Sequence, residues 1–184
     1  MTRVALGILL VALVAAPADA QAPPATQAPP AAPSWKPFGE FGFLLGYWSG
    51  TATSGERIGG RIARFTMELN GTFLVERGTT IFPAGDGKQE ETVEEIGYVT
   101  YNREKRGYVA TYFFSTGVYG TYDVEILPGG AIRMTAPSLV NYDPGARSRI
   151  LFTPRADGGL DTAIEIAPAG KEYVAHRTSS LKKK

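Results

Sequence analysis

From residue 45 to residue 181 the chain alternates apolar and polar side chains in short runs, with a turn signal between most runs. In VYGTYDVEI, Val118, Gly120, Tyr122, Val124 and Ile126 fall on one face, while Tyr119, Thr121, Asp123 and Glu125 fall on the other. LDTAIEI repeats the pattern, with Leu160, Thr162, Ile164 and Ile166 opposite Asp161, Ala163 and Glu165. A period of two is the mark of a half-buried β-strand. Asn70-Gly71 permits a tight hairpin in which both central residues take positive φ. Pro128-Gly129-Gly130, Asp157-Gly158-Gly159 and the stretch from Asn102 to Gly107 supply further turns.

This punctuation predicts about ten strands, at 45–53, 60–69, 72–82, 91–102, 107–115, 118–127, 130–137, 147–154, 160–167 and 171–181. The one helical expectation is a short turn around Phe38–Leu44, because no segment sustains a 3.6-residue apolar period. The fold class is therefore all-β. Such a meander closes most economically as an antiparallel up-and-down barrel, since closure removes the exposed edges. A two-sheet sandwich is the second architecture. Eight strands make a barrel just wide enough for side chains or one small ligand, so ten leave an interior that side chains alone need not fill. Gly97, Ala110, Gly120 and Ala163 are small strand residues, suited either to a cavity or to close-packing positions.

The N-terminus has a different composition. Arg3 precedes the apolar run VALGILLVALVAA, and Ala18-Asp19-Ala20 offers the small-x-small pattern of a cleavage site, so residues 1–20 are expected to be a signal peptide. Residues 21–34 are Pro/Ala-rich and lack the apolar side chains to offset ordering entropy, which predicts a disordered linker. The barrel domain is assigned to residues 35–184. The expected location is outside the cytoplasm, periplasmic or secreted, with no stable membrane insertion after cleavage. There is no cysteine, which excludes a lipid-anchored cysteine, a disulfide-stapled scaffold, Cys-zinc sites and thiol catalysis. A formal net charge of +1, with acids and bases interspersed, gives no nucleic-acid footprint.

No P-loop, G-x-S-x-G elbow, H-E-x-x-H or dinucleotide glycine fingerprint is present. The single histidine, His176, excludes multi-histidine metal sites, and no metal centre is expected. Glu90, Glu91, Glu94 and Glu95 cluster at one strand start, where they read as a solubilising charged edge. The many aromatics suit a barrel core, and tyrosines can also line a pocket for a flat apolar ligand with polar edges. Trp48, Tyr112, Tyr122, Val174 and Thr178 are the candidate lining residues. Alternation on the last strand puts Val174, His176 and Thr178 on one face, opposite Tyr173, Ala175, Arg177 and Ser179. A neutral imidazole facing an apolar pocket is also what an iron porphyrin needs as axial ligand.

FGFLLGYWSGTAT resembles the first-strand signature of nitrobindin-like barrels, where Leu-x-Gly-x-Trp opens a lipocalin-like (calycin) fold. EEIGYVTYNREKRGYVATYFFSTGVYG is similar to the middle hairpin of that group. Gly170 and His176 stand at the spacing of the glycine and proximal heme histidine of nitrobindins, followed by Leu181, Lys182 and Lys183 in a basic tail. The resemblance implies a ten-stranded barrel, heme as candidate cofactor through His176, and a homodimer as an available assembly. The leading expectation is a non-enzymatic binding module for a small hydrophobic ligand, in or at the mouth of the barrel. The alternatives are an isomerase or hydrolase using Tyr and Glu groups in the cavity, or a ligand-free structural or interaction barrel.

Overall fold

A computed structural model describes residues 38–85 and 87–184, so the expected signal peptide and linker lie outside the described residues. A six-residue 3-10 helix, Gly39–Leu44, precedes ten strands. These are β1 (Gly46–Ser54), β2 (Arg57–Glu68), β3 (Phe73–Phe82), β4 (Glu91–Asn102), β5 (Gly107–Phe114), β6 (Tyr119–Ile126), β7 (Ile132–Ala136), β8 (Arg147–Pro154), β9 (Leu160–Ala167) and β10 (Val174–Lys183). Each pairs antiparallel with its neighbour in sequence, and β1 pairs with β10, so the sheet closes on itself. The up-and-down barrel read from the alternation is the fold, and the sandwich is not formed. Closure follows from the chemistry of the edges: Gly50 pairs with Leu181 and Ala52 with Ser179, so neither terminal strand is left with a free ladder.

The ten expected strands are found with ends shifted by a few residues. At Asn70-Gly71 both residues take positive φ, 57° and 79°, and Leu69 joins them at 49°. The connection is therefore a four-residue loop between the paired Glu68 and Phe73, rather than a two-residue hairpin. The other turns follow the same logic, with Gly129 at φ 85° and Gly158 at φ 77°.

The two ends of the barrel differ. At one end the 3-10 helix acts as a plug, with Phe41 and Leu44 fully buried. Phe41 packs edge-on against Tyr108 at 4.9 Å between ring centroids. The Trp48 indole N–H donates to the Leu44 carbonyl at 2.6 Å, tying β1 to the plug. Behind it lies an apolar core that includes Phe65, Leu74, Ile132, Met134, Phe152 and Leu181. The glycines of β4 and β6 are close-packing positions. A Cβ on Gly97 would fall inside the Tyr112 ring, and one on Gly120 would crowd Leu139 and Tyr122.

Candidate functional site

Above the apolar core the lumen is crossed by charged side chains. Alternation turns Arg61 of β2, Glu76 and Thr80 of β3, Glu95 of β4 and Arg177 of β10 inward, and all are buried. Glu95 pairs with both Arg61 and Arg177. Glu76 accepts from Arg61 at 2.8 Å and from the Tyr112 hydroxyl at 2.7 Å. The Thr80 hydroxyl accepts from Arg177 at 3.2 Å and from Arg61 at 3.4 Å. Gly78 makes the room, since a Cβ there would strike the Glu95 carboxylate.

Buried charges persist only as a mutually satisfied set, because removing one partner leaves an uncompensated ion in low dielectric. The two carboxylates divide the strain unequally. Burial pushes Glu95 up, but the guanidiniums of Arg61 and Arg177 more than offset it and hold its carboxyl below the usual range. For Glu76 burial wins over Arg61, and Glu95 adds repulsion, so its carboxyl is pushed up to about 7. Burial beside Glu76 also raises Tyr112 well above the ordinary tyrosine range.

Toward the other end, among the described residues, a cavity of about 270 Å³ opens at the mouth. Its apolar wall comes from Phe82, Val93, Phe114, Leu139, Ile164 and Ile166. Its buried polar groups are Tyr122, Ser148 and Arg177, the last of which joins the cavity to the charged layer below. Its more exposed ones are Ser54, Thr116, Tyr142, His176 and Glu91, whose carboxylate is paired with Arg57. Tyr122 is fully buried, and its hydroxyl approaches Ser148 without meeting hydrogen-bond geometry.

His176 reaches this site through a break in the strand pattern. Ala175 pairs with Glu165 and Arg177 with Ile164, so His176 is the extra residue of a β-bulge. A bulge puts two residues opposite one, and the side-chain alternation resumes out of phase. Val174 lies opposite inward-facing Ile166, and two residues along β9 Ile164 lies opposite Arg177, three residues after Val174, and not opposite His176. The Ser54 hydroxyl donates to the His176 carbonyl at 2.9 Å and pins the bulge to β1. By solvent contact His176 is an exposed residue at the rim. Enough protein surrounds the imidazole that burial lowers its pKa; the Arg177 charge adds to this and Glu91 opposes it. The neutral imidazole is thereby favoured at neutral pH.

The candidate residues named from alternation and aromatic content are only partly gathered here. His176 and Tyr122 line the cavity. Val174 stands beside the mouth with 62% of its surface exposed, outside the lining. Thr178 does not share the face of His176: the bulge reverses the phase, and Thr178 pairs with Thr53 and Ala163 on the outer surface. Trp48 lies at the plugged end, and Tyr112 lies in the charged layer. The sequence pattern singles out neither Ser148 nor Glu76, it sets Arg177 on the face away from His176, and it reads Glu95 as part of a solubilising edge, whereas Glu95 is buried. Among the described residues, no group of three or more His, Asp or Glu side chains stands in a metal-holding arrangement.

The fold and site define a closed ten-stranded antiparallel barrel, plugged at one end and hollow at the other. No protein-family model matches the chain, and no curated protein matches it. Among solved structures it is similar to that of Rv2717c from M. tuberculosis, with a TM-score of 0.56 at 14% identity. That likeness covers 80% of this chain and 96% of the other. At this identity it establishes the shared barrel fold.

Proposed function

We propose that the protein is a non-enzymatic binding module that holds a small hydrophobic ligand in the mouth of its barrel. The observation that supports this is the cavity itself: one end of the lumen is packed solid, while the other keeps an apolar wall with a few converging polar groups. That combination is the usual make-up of a small-molecule site. At about 270 Å³ the cavity lies just under the roughly 300–1,000 Å³ of drug-sized pockets. It suits a compact ligand wholly, or a larger flat one partly, with the remainder in the open mouth.

The sharper form of the proposal has ferric heme at the mouth, held through Nε2 of His176. The residues present fit the chemistry of that group: an apolar wall, and a rim imidazole kept neutral by burial and by Arg177. The resemblance of the Gly170 to His176 segment to the heme-binding end of nitrobindins supports the same residue. When bound, the heme would supply an iron able to take up water or a small gas. The test is titration of the protein with hemin, followed by absorbance. A Soret band that His176→Ala removes is the expected result. Equal spectra for the two proteins overturn the axial role of His176 and leave the cavity to another ligand.

The enzymatic alternative asks for a carboxylate and a tyrosine converging in the cavity. Glu76 and Tyr112 do converge, but outside the cavity lining, and the carboxylate that does line it, Glu91, is paired with Arg57.

A further inference from the structure

The inner end of the cavity carries more hydrogen-bonding capacity than the protein uses. Tyr122 lines it, is fully buried, and leaves its hydroxyl without a partner. A buried donor left unmade is costly and is rarely retained without a reason. Two further groups stand at the same end. Ser148, from the start of β8, stands close to that hydroxyl, and it also lines the cavity. Arg177, from the bulge of β10, brings a guanidinium whose partners, Glu95 and Thr80, belong to the charged layer.

Charge in the lumen points the same way. Two guanidiniums, Arg61 and Arg177, share two carboxylates, of which Glu95 is held ionised while Glu76 titrates near neutrality. When Glu76 carries a proton, the layer under the cavity has one more positive charge than negative. A hydroxyl donor beside a partly unbalanced guanidinium, at the end of an apolar tube, selects a ligand with an anionic oxygen at its buried end.

Resting on the binding-module reading, we propose that the cavity's ligand is an apolar carboxylate. Its carboxylate accepts from the Tyr122 hydroxyl beside Ser148 and Arg177, and its apolar body runs toward His176 and the mouth. The ligand class is thus a compact aliphatic or aromatic monoacid, and Tyr122 is the residue that distinguishes it from a neutral molecule of equal length.

The test uses octanoate and 1-octanol, which share an alkyl chain and differ at the head, titrated calorimetrically into the full chain and into Tyr122→Phe. A hydrogen bond to a charged group is worth on the order of tenfold or more in affinity, whereas the apolar body contributes equally in both probes. Octanoate is expected to bind wild type about tenfold tighter than octanol and to lose most of that margin in Tyr122→Phe, with octanol changing little. The variant removes a buried hydroxyl that makes no hydrogen bond of good geometry, so a melting temperature equal to or above that of wild type is expected and serves as the folding control. Equal affinity for the two probes, or an octanoate margin that survives Tyr122→Phe, overturns the carboxylate site and leaves the binding module standing. Hemin binding without either probe does the same. Failure of octanoate, octanol and hemin alike overturns the binding module itself.

Discussion

Replacing Glu76 by Gln gives a decisive test of the charged layer, because the structure assigns opposite behaviour to two carboxylates of equal burial. Glu76 has its pKa raised from the ordinary 4.5 to about 7. A carboxyl raised on folding binds its proton more tightly in the folded state. Its contribution is therefore fully present below 4.5 and is lost as pH rises through about 7. With each pH unit worth about 1.4 kcal/mol, that interval removes about 3 kcal/mol of stability between pH 5 and pH 8. Gln keeps the shape and can still accept from the Tyr112 hydroxyl, but it cannot ionise. Glu76→Gln is expected to match wild type near pH 5 and to exceed it by about 3 kcal/mol at pH 8. The window also contains His176. Its depressed pKa acts in the reverse direction, withdrawing stability as pH falls below the ordinary 6.5, and it cancels in the difference between the two proteins. Glu95, held low, acts only in more acid solution. Urea unfolding at pH 5, 6.5 and 8, with a shared m-value, reads the effect. Parallel stability curves, or a variant weaker than wild type by several kcal/mol at pH 8, would refute the reasoning and make Glu76 a permanently ionised partner of Arg61.

The other carboxylate gives the complementary outcome. Glu95→Gln leaves both Arg61 and Arg177 without their shared partner, and the expected cost is about 3–5 kcal/mol at pH 7 by urea unfolding. A loss below about 1 kcal/mol would show that the arginines re-pair elsewhere. Gly97→Ala inserts a methyl where the Tyr112 ring lies; it should cost about 1–3 kcal/mol, displace Tyr112 from Glu76, and change the near-UV dichroism. An unperturbed spectrum would contradict the close packing of that ring.

Strand count and closure were legible because they rest on local signals. Period-two alternation and left-handed turn residues are carried by neighbours in the chain, and the ten strands follow them. The site was less legible because its parts are non-local. Glu95 sits in a run of acids that reads as a solvated edge, yet Val93, Gly97 and Val99 share its inward phase, and that phase was the available signal. Arg61 and Glu76 reach Glu95 by register on the two preceding strands, and only closure of the barrel brings in Arg177 from β10. The bulge left no comparable trace. KEYVAHRTSS alternates smoothly on paper, so Thr178 was grouped with His176, and Arg177 was placed on the opposite face from it. What breaks the phase is tertiary: Arg177 is drawn inward to Glu95 and Thr80, and Ser54 holds the carbonyl of the extra residue.

Both the charged layer and the cavity follow from the width of the barrel. Ten strands enclose more space than core side chains fill unaided, and this chain divides that space by height. The plugged end is filled by rings and branched aliphatics. The middle is spanned by buried guanidinium and carboxylate side chains long enough to meet in the lumen. Such a layer contributes little net stability over an apolar filling, so stability alone does not account for it. It does give the open end a floor that is rigid and polar, with Arg177 belonging to both layer and cavity. The bulge that carries Arg177 inward also leaves His176 at the rim, so one irregularity of β10 sets the polar group at each end of the cavity. Weakening the layer should therefore be felt at the mouth: Glu95→Gln, by freeing Arg177, should alter ligand affinity, although Glu95 does not line the cavity.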